Sequence, residues 1–191
     1  MALEARIVAD IQEAPTESYV QLYNSVNAQL NELAAAAVEF LVAKGFRAVA
    51  QPATRPITES DTLTTPLPHK TVATRAGLGW IGKNALLVTE RFGTAVRLVS
   101  VLTDAPLAVG APVDVSRCGD CTACVRICPG KAPTGVNWEA GMERARLFDA
   151  HACQQASRTL PSNAHLTRRI CGRCIPACPH TRRYLKRAGT L

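Results

Sequence analysis

Eight cysteines carry most of the chemistry this sequence offers, and none of them precedes Cys118. The first four stand as Cys118-x-x-Cys121-x-x-Cys124-x-x-x-Cys128-Pro129, and the last three as Cys171-x-x-Cys174-x-x-x-Cys178-Pro179. Cys153 lies alone between the two motifs. Thiolates are soft ligands for zinc, copper and iron-sulfur clusters. The start of the chain, Met1 to Gln12, carries Glu4 and Asp10 and lacks the apolar stretch of a secretory signal. No apolar run approaches the roughly 20 residues of a membrane span. The expectation is a cytoplasmic chain without membrane association, where thiols stay reduced and cysteine-dense sequences bind metal rather than form disulfides.

The first motif has the spacing of the bacterial ferredoxin run. In that run a tight loop aims three thiolates at one cubane, and the fourth cysteine reaches across to the other cluster. The second motif repeats the Cys-Pro ending but is one cysteine short, and Cys153 supplies the missing thiolate. Applied here, the cross-over rule assigns Cys118, Cys121, Cys124 and Cys178 to cluster one, and Cys128, Cys153, Cys171 and Cys174 to cluster two. Two [4Fe-4S] clusters are therefore expected. Paired C-x-x-C knuckles can also build tetrahedral zinc sites, but those use separated pairs rather than a close triplet followed by Cys-Pro. His69, His151, His165 and His180 sit in no ligand spacing and read as surface or supporting residues.

The elements that must hold these thiols divide unevenly. The cysteine-free stretch 1–112 reads as an α+β unit, and 113–191 as a ferredoxin-like double-cluster unit, joined at the Pro, Ala and Gly-rich segment 106–112. The fold class expected is thus α+β: a small antiparallel sheet with helices, followed by the two-cluster domain. Leu3, Ala5, Ile7 and Ala9 alternate with more polar neighbours, which predicts a strand. Apolar residues from Tyr19 to Leu41 recur at three- and four-residue steps, predicting a long helix that stops at Lys44-Gly45. Phe46 to Ala50 reads as a strand, 51–68 as a loop, and His69 to Ala76 as a short helix capped by Gly77. Ala85 to Thr89 and Ala95 to Thr103 read as strands on either side of a turn at Arg91-Phe92-Gly93. Trp138 to Phe148 could form another helix.

The formal charge is +7, and from Ala150 to Leu191 there is no acidic residue. A basic chain raises nucleic acid as a partner. An all-cysteinate cubane, however, carries a net charge of roughly −2, so these cations can also offset the clusters.

Arg75 to Asn84 reads RAGLGWIGKN. Its glycines imitate a dinucleotide fingerprint but follow a helix rather than a strand, which fails the context that fingerprint requires. The segment is a tight turn or a glycine-lined surface for a flat cofactor. From Pro66 to Asp104, with CGDCTACVRICP and CGRCIPACP, the chain resembles epoxyqueuosine reductases and is similar to the core of corrinoid-dependent reductive dehalogenases. That resemblance implies an α+β domain holding cobalamin, with two clusters feeding it electrons. It makes Trp80, Gly82, Lys83 and Asn84 candidate corrinoid contacts. The acid aligned with the proton donor of those enzymes falls near Leu63, and the nearest acid is Asp61.

Three functions follow as expectations. One is an electron-transfer protein that passes low-potential electrons, at roughly −400 mV for ferredoxin-type clusters, to a redox partner protein or bound cofactor. Another is an oxidoreductase in its own right, a corrinoid-dependent reductase. The weakest is contact with tRNA through the basic tail. No catalytic residue, donor, terminal acceptor or oligomeric state is legible from sequence.

Overall fold

The computed structural model describes residues 1–55 and 63–191. It is a mixed α/β arrangement in which helices dominate and two small antiparallel sheets carry the strands. The sequence-predicted loop 51–68 lies partly outside the described residues, and Asp61 lies wholly outside them.

Helix α1 spans Ala5–Asp10 and α2 spans Glu17–Ala43. Thr16 starts α2 by accepting a 3.2 Å hydrogen bond from the Tyr19 amide on its hydroxyl, which satisfies one of the orphan donors of the first turn. Tyr19, Val20, Val26, Leu30 and Ala34 form its buried stripe. The helix ends where the sequence places its stop: Phe46 N donates to Leu41 O at 2.9–3.2 Å spacing with its neighbours, and Gly45 takes φ +87°.

The predicted strand at residues 3–9 is instead α1. Only its lead-in is β-like, through an Ala2–Val96 bridge and a 2.9 Å hydrogen bond from Leu3 N to Ala95 O. Beyond that point the buried positions are Ala5, Val8 and Ile11, a three-residue step. In so short a window the alanines fit either period, and packing against the C-terminal helices decides.

Strand β1 (Ala48–Gln51) follows, then α3 (His69–Arg75), closed by Gly77 at φ +74°. Strands β2 (Trp80–Ile81), β3 (Leu87–Val88) and β4 (Ser100–Thr103) complete the sheets. β1 pairs with β4, with Ala48 opposite Thr103, and β2 pairs with β3, with Trp80 opposite Val88. The two strands predicted around the Arg91–Gly93 turn therefore do not pair with each other beyond a Thr89–Gly93 bridge. Ala95 is drawn away, because its carbonyl takes the Leu3 amide.

The cysteine-rich half is built from short helices: α4 (Ala123–Ile127), α5 (Arg144–Leu147), α6 (Ala150–Thr159), a 3₁₀ turn at Pro161–Asn163, α7 (Cys174–Ala177) and α8 (Pro179–Arg187). Of the helix predicted at 138–148 only α5 forms, since Gly141 breaks the segment at φ +85°. Asp149 caps α6 by accepting from the Ala152 amide at 2.9 Å.

One apolar core joins α1 and α2 to the end of the chain through Leu3, Val8, Ile11 and Tyr19 against Ile175 and Leu185. A second gathers Trp80, Ile81, Val88, Trp138, Leu147 and Cys178. Among the described residues, no helix is long and apolar enough to cross a membrane.

Candidate metal centre

The eight cysteines come from four places in the fold. Cys118 and Cys121 sit in the turn ahead of α4, held by a 3.2 Å hydrogen bond from Cys121 N to Cys118 O. Cys124 lies on α4 and Cys128 caps its end, where its sulfur accepts from Ala132 N at 3.4 Å. Cys153 rides on α6. Cys171 precedes α7, Cys174 opens it, and Cys178 sits between α7 and α8 with Pro179 as the first residue of α8. Proline is well placed there, because the amide it lacks would have had no helical partner.

Cys118, Cys121, Cys124 and Cys178 line one cavity of about 230 Å³. Its remaining wall includes Gly82, Lys83 and Asn84. A Cβ at Gly82 would crowd the side chains beside it, at 2.8 Å from Val88 Cγ2 and 2.9 Å from Asn84 Oδ1. Cys153 and Cys171 border a larger, open cavity of about 770 Å³ whose rim includes Phe148, Arg158, Arg168 and Arg169. Among the described residues, no three His, Cys, Asp or Glu side chains converge on one point as a single metal ion would require.

The thiols perturb one another, mostly within the two expected sets, although Cys124 also acts on Cys174. Burial, then the neighbouring Cys118, Cys178 and Cys121, pushes Cys124 up to about 11. Burial, then Cys128 and Cys171, pushes Cys153 up to about 11. Cys174 is driven upward by burial and then chiefly by Cys171 and Cys153. Burial raises Cys171, partly offset by Arg173, and raises Cys178, partly offset by the amides of Thr181 and His180. Thiols this hard to ionise are poor free nucleophiles. A coordinated metal reverses the balance, since a ligating thiol is deprotonated outright.

Trp80, Lys83 and Asn84 are nearly fully buried, at 1%, 4% and 4% exposure. Lys83 Nζ donates to Gly119 O at 2.7 Å, inside the turn that bears Cys118 and Cys121. Asn84 Oδ1 accepts from Leu86 N at 3.3 Å, and its amide nitrogen approaches Cys174 O at 3.5 Å. Trp80 packs edge-on against His180, ring centroids 4.9 Å apart, and under the Arg117 guanidinium. Its indole Nε1 is buried and, among the described residues, has no hydrogen-bond partner.

His180 belongs to the site's wall, a place its sequence position just after Cys178-Pro179 could have suggested. His151 and His165 are exposed. His69 is tied to Ser100 Oγ at 2.9 Å and to Pro52 O at 3.0 Å, away from the thiols.

No family model matches the chain. Among curated proteins it is 31% identical over 172 residues to an epoxyqueuosine reductase of Aliivibrio fischeri, covering 88% of this chain and 44% of that one. The chain spans less than half the length of the curated relatives it matches. Its fold is similar to an epoxyqueuosine reductase solved with an epoxyqueuosine-modified tRNA-Tyr stem loop, with TM-score 0.58 and 24% identity over 82% of this chain and 39% of the other. It is also similar to a reductive dehalogenase for which a mechanism of B12-dependent dehalogenation was suggested, with TM-score 0.69 and 17% identity over 98% of this chain and 26% of the other.

Proposed function

We propose that this chain, a relative of the epoxyqueuosine reductases, is a two-cluster iron-sulfur redox protein that passes low-potential electrons to a partner protein or to a bound cofactor. The observation that supports this reading is that Cys118, Cys121, Cys124 and Cys178 line one cavity, while Cys153 and Cys171 border another. Cys118, Cys121, Cys124 and Cys178 would hold one [4Fe-4S] cluster, and Cys128, Cys153, Cys171 and Cys174 the other. Residues 113–191 form the cluster-bearing, ferredoxin-like unit in this reading, and 1–112 the α+β unit beside it.

The residues present fit such a group. Lys83 is buried at the wall of the four-thiol cavity, and among the described residues no carboxylate pairs with it. An unpaired buried cation is costly, and a tetrathiolate cluster supplies the missing negative charge. When bound, the clusters supply one-electron transfer. The chain's own part is to hold the thiolates, exclude water from the first group through the Trp80 core, and leave the second group facing an open cavity.

That open cavity, bordered by Cys153 and Cys171 and rimmed by arginines, favours a second reading. In it the chain is a corrinoid-dependent reductase, with cobalamin taking electrons from the second group and with tRNA as the substrate class by kinship.

Iron and sulfide analysis of anaerobically prepared protein, with low-temperature EPR after dithionite reduction, tests the first reading. About eight irons per chain are expected, and a zinc-loaded, EPR-silent sample rejects it. Titration with cobalamin, followed in the visible spectrum, tests the second. An unchanged spectrum with the clusters intact removes it.

A further inference from the structure

Trp80, Lys83 and Asn84 lie in a conspicuous segment, and the structure buries them against thiols rather than presenting them to an open surface. Two of the three have unmet needs. The Lys83 ammonium is 4% exposed, and a carbonyl is its hydrogen-bond acceptor. The Trp80 indole is 1% exposed with its N–H unpaired among the described residues, in a core that also contains Cys118 and Cys178. A buried donor without an acceptor forfeits its full desolvation cost. Lys83 lines the four-thiol cavity, where electron-rich sulfur would offset its charge, and Trp80 packs in the core beside two of the same cysteines, Cys118 and Cys178.

The second group is served differently. Arg173 acts on Cys171, but it is partly exposed, as are the arginines of the open rim. Solvated cations are screened, whereas a desolvated one acts through a low dielectric. Cluster potentials follow net charge, hydrogen bonds to sulfur and solvent exposure. Of these, the structure distinguishes the two groups by the buried positive charge, which lies with the first.

We propose that Lys83 and Trp80 set the reduction potential of the cluster on Cys118, Cys121, Cys124 and Cys178, Lys83 by its buried charge and Trp80 by an N–H···S hydrogen bond, so that this cluster is reduced before the other. This rests on the two-cluster reading and deepens it. The WIGKN segment is then a tuning layer for the enclosed cluster.

The test is an anaerobic dithionite titration of the full, reconstituted chain, followed by EPR, in wild type, Lys83→Met, Lys83→Arg and Trp80→Phe. Wild type should reduce in two steps. Lys83→Met should lower the first step and leave the second in place, Lys83→Arg should restore most of it, and Trp80→Phe should lower it by a smaller amount. In a Cys118→Ser background the remaining four-iron signal belongs to the second group, and adding Lys83→Met should leave its midpoint unchanged. Selective loss of one cluster in Lys83→Met, with four irons retained and recovery in Lys83→Arg, equally places Lys83 at the first cluster. Unshifted steps in Lys83→Met, or equal shifts of both steps, overturn the proposal. If wild type itself takes up no iron, the two-cluster reading fails first, so the two failures are told apart.

Discussion

Gly93→Ala should damage the protein far more than a one-carbon change at a turn suggests. Gly93 has φ +58°, and the Cβ of an alanine would lie 2.2 Å from Thr181 N, 2.5 Å from Thr181 Oγ1 and 2.6 Å from the His180 carbonyl carbon. An L-residue in the left-handed region costs roughly 1–2 kcal/mol on its own. Ordinary carbon contacts need about 3.5 Å, so one wall must retreat by about 1 Å. The retreat breaks a buried latch: Thr94 N donates to Thr181 Oγ1 at 3.0 Å, and the two hydroxyls meet at 3.1 Å. Thr94 and Thr181 are 2% and 0% exposed, so neither recovers its bond from water. Each orphaned group adds roughly 1–3 kcal/mol, for a total on the order of 3–6 kcal/mol. At about 2–4 °C per kcal/mol for a chain of this size, the apparent melting temperature should fall by roughly 6–24 °C. Cys178 stands just ahead of the displaced segment, so iron retention should fall as well. The assay is a thermal scan by circular dichroism on anaerobic protein at matched scan rates, with iron measured beforehand. Gly93→Asn separates the causes, because asparagine tolerates the conformation but keeps the Cβ, and it should recover little. A Gly93→Ala protein that melts within about 2 °C of wild type with full iron would refute the reasoning.

Two further outcomes follow from the same geometry. Cys153→Ser should roughly halve the iron content and remove one EPR signal while the other persists, since α6 presents its thiol to only one group; loss of both clusters or neither contradicts the grouping. Lys70 is half-buried and donates to Ala85 O at 2.7 Å, and desolvation, then Arg144, pulls its ammonium down to about 8. Between pH 8 and the ordinary lysine value of about 10.4 the unfolded chain binds more protons than the folded one. Stability should therefore rise with pH across that window. Denaturant midpoints at several pH values would show it, and Lys70→Met should flatten the slope.

What the sequence revealed, and what it hid, follows from the range of the interactions involved. Helix α2 was legible because its stripe, its Thr16 cap and its Gly45 stop are all local. Helix α6 was not, because Ala150–Thr159 has no fully buried residue and hence no core-facing stripe to read. Strand β2 is two residues set between Gly79 and Gly82, too short for any period. The first turn of the chain was misread because alanine at positions 5 and 9 serves a strand or a helix equally, and the choice is made by residues such as Ile175 and Leu185 far along the chain.

The site divides in the same way. Motif spacing suffices to propose which cysteines act together, since ligand geometry imposes short, fixed separations. Spacing says nothing of the wall those cysteines face. Lys83 meets Gly119 across 36 positions and Asn84 approaches Cys174 across 90. A Gly, Lys and Asn-rich stretch reads as a polar turn when taken alone. Only the folded chain shows that Trp80, Lys83 and Asn84 are buried, with Lys83 at the wall of the four-thiol cavity. The glycine segment and the first four thiols are thus joined by the fold, through the Lys83–Gly119 hydrogen bond and a shared cavity wall, and by nothing local in the sequence.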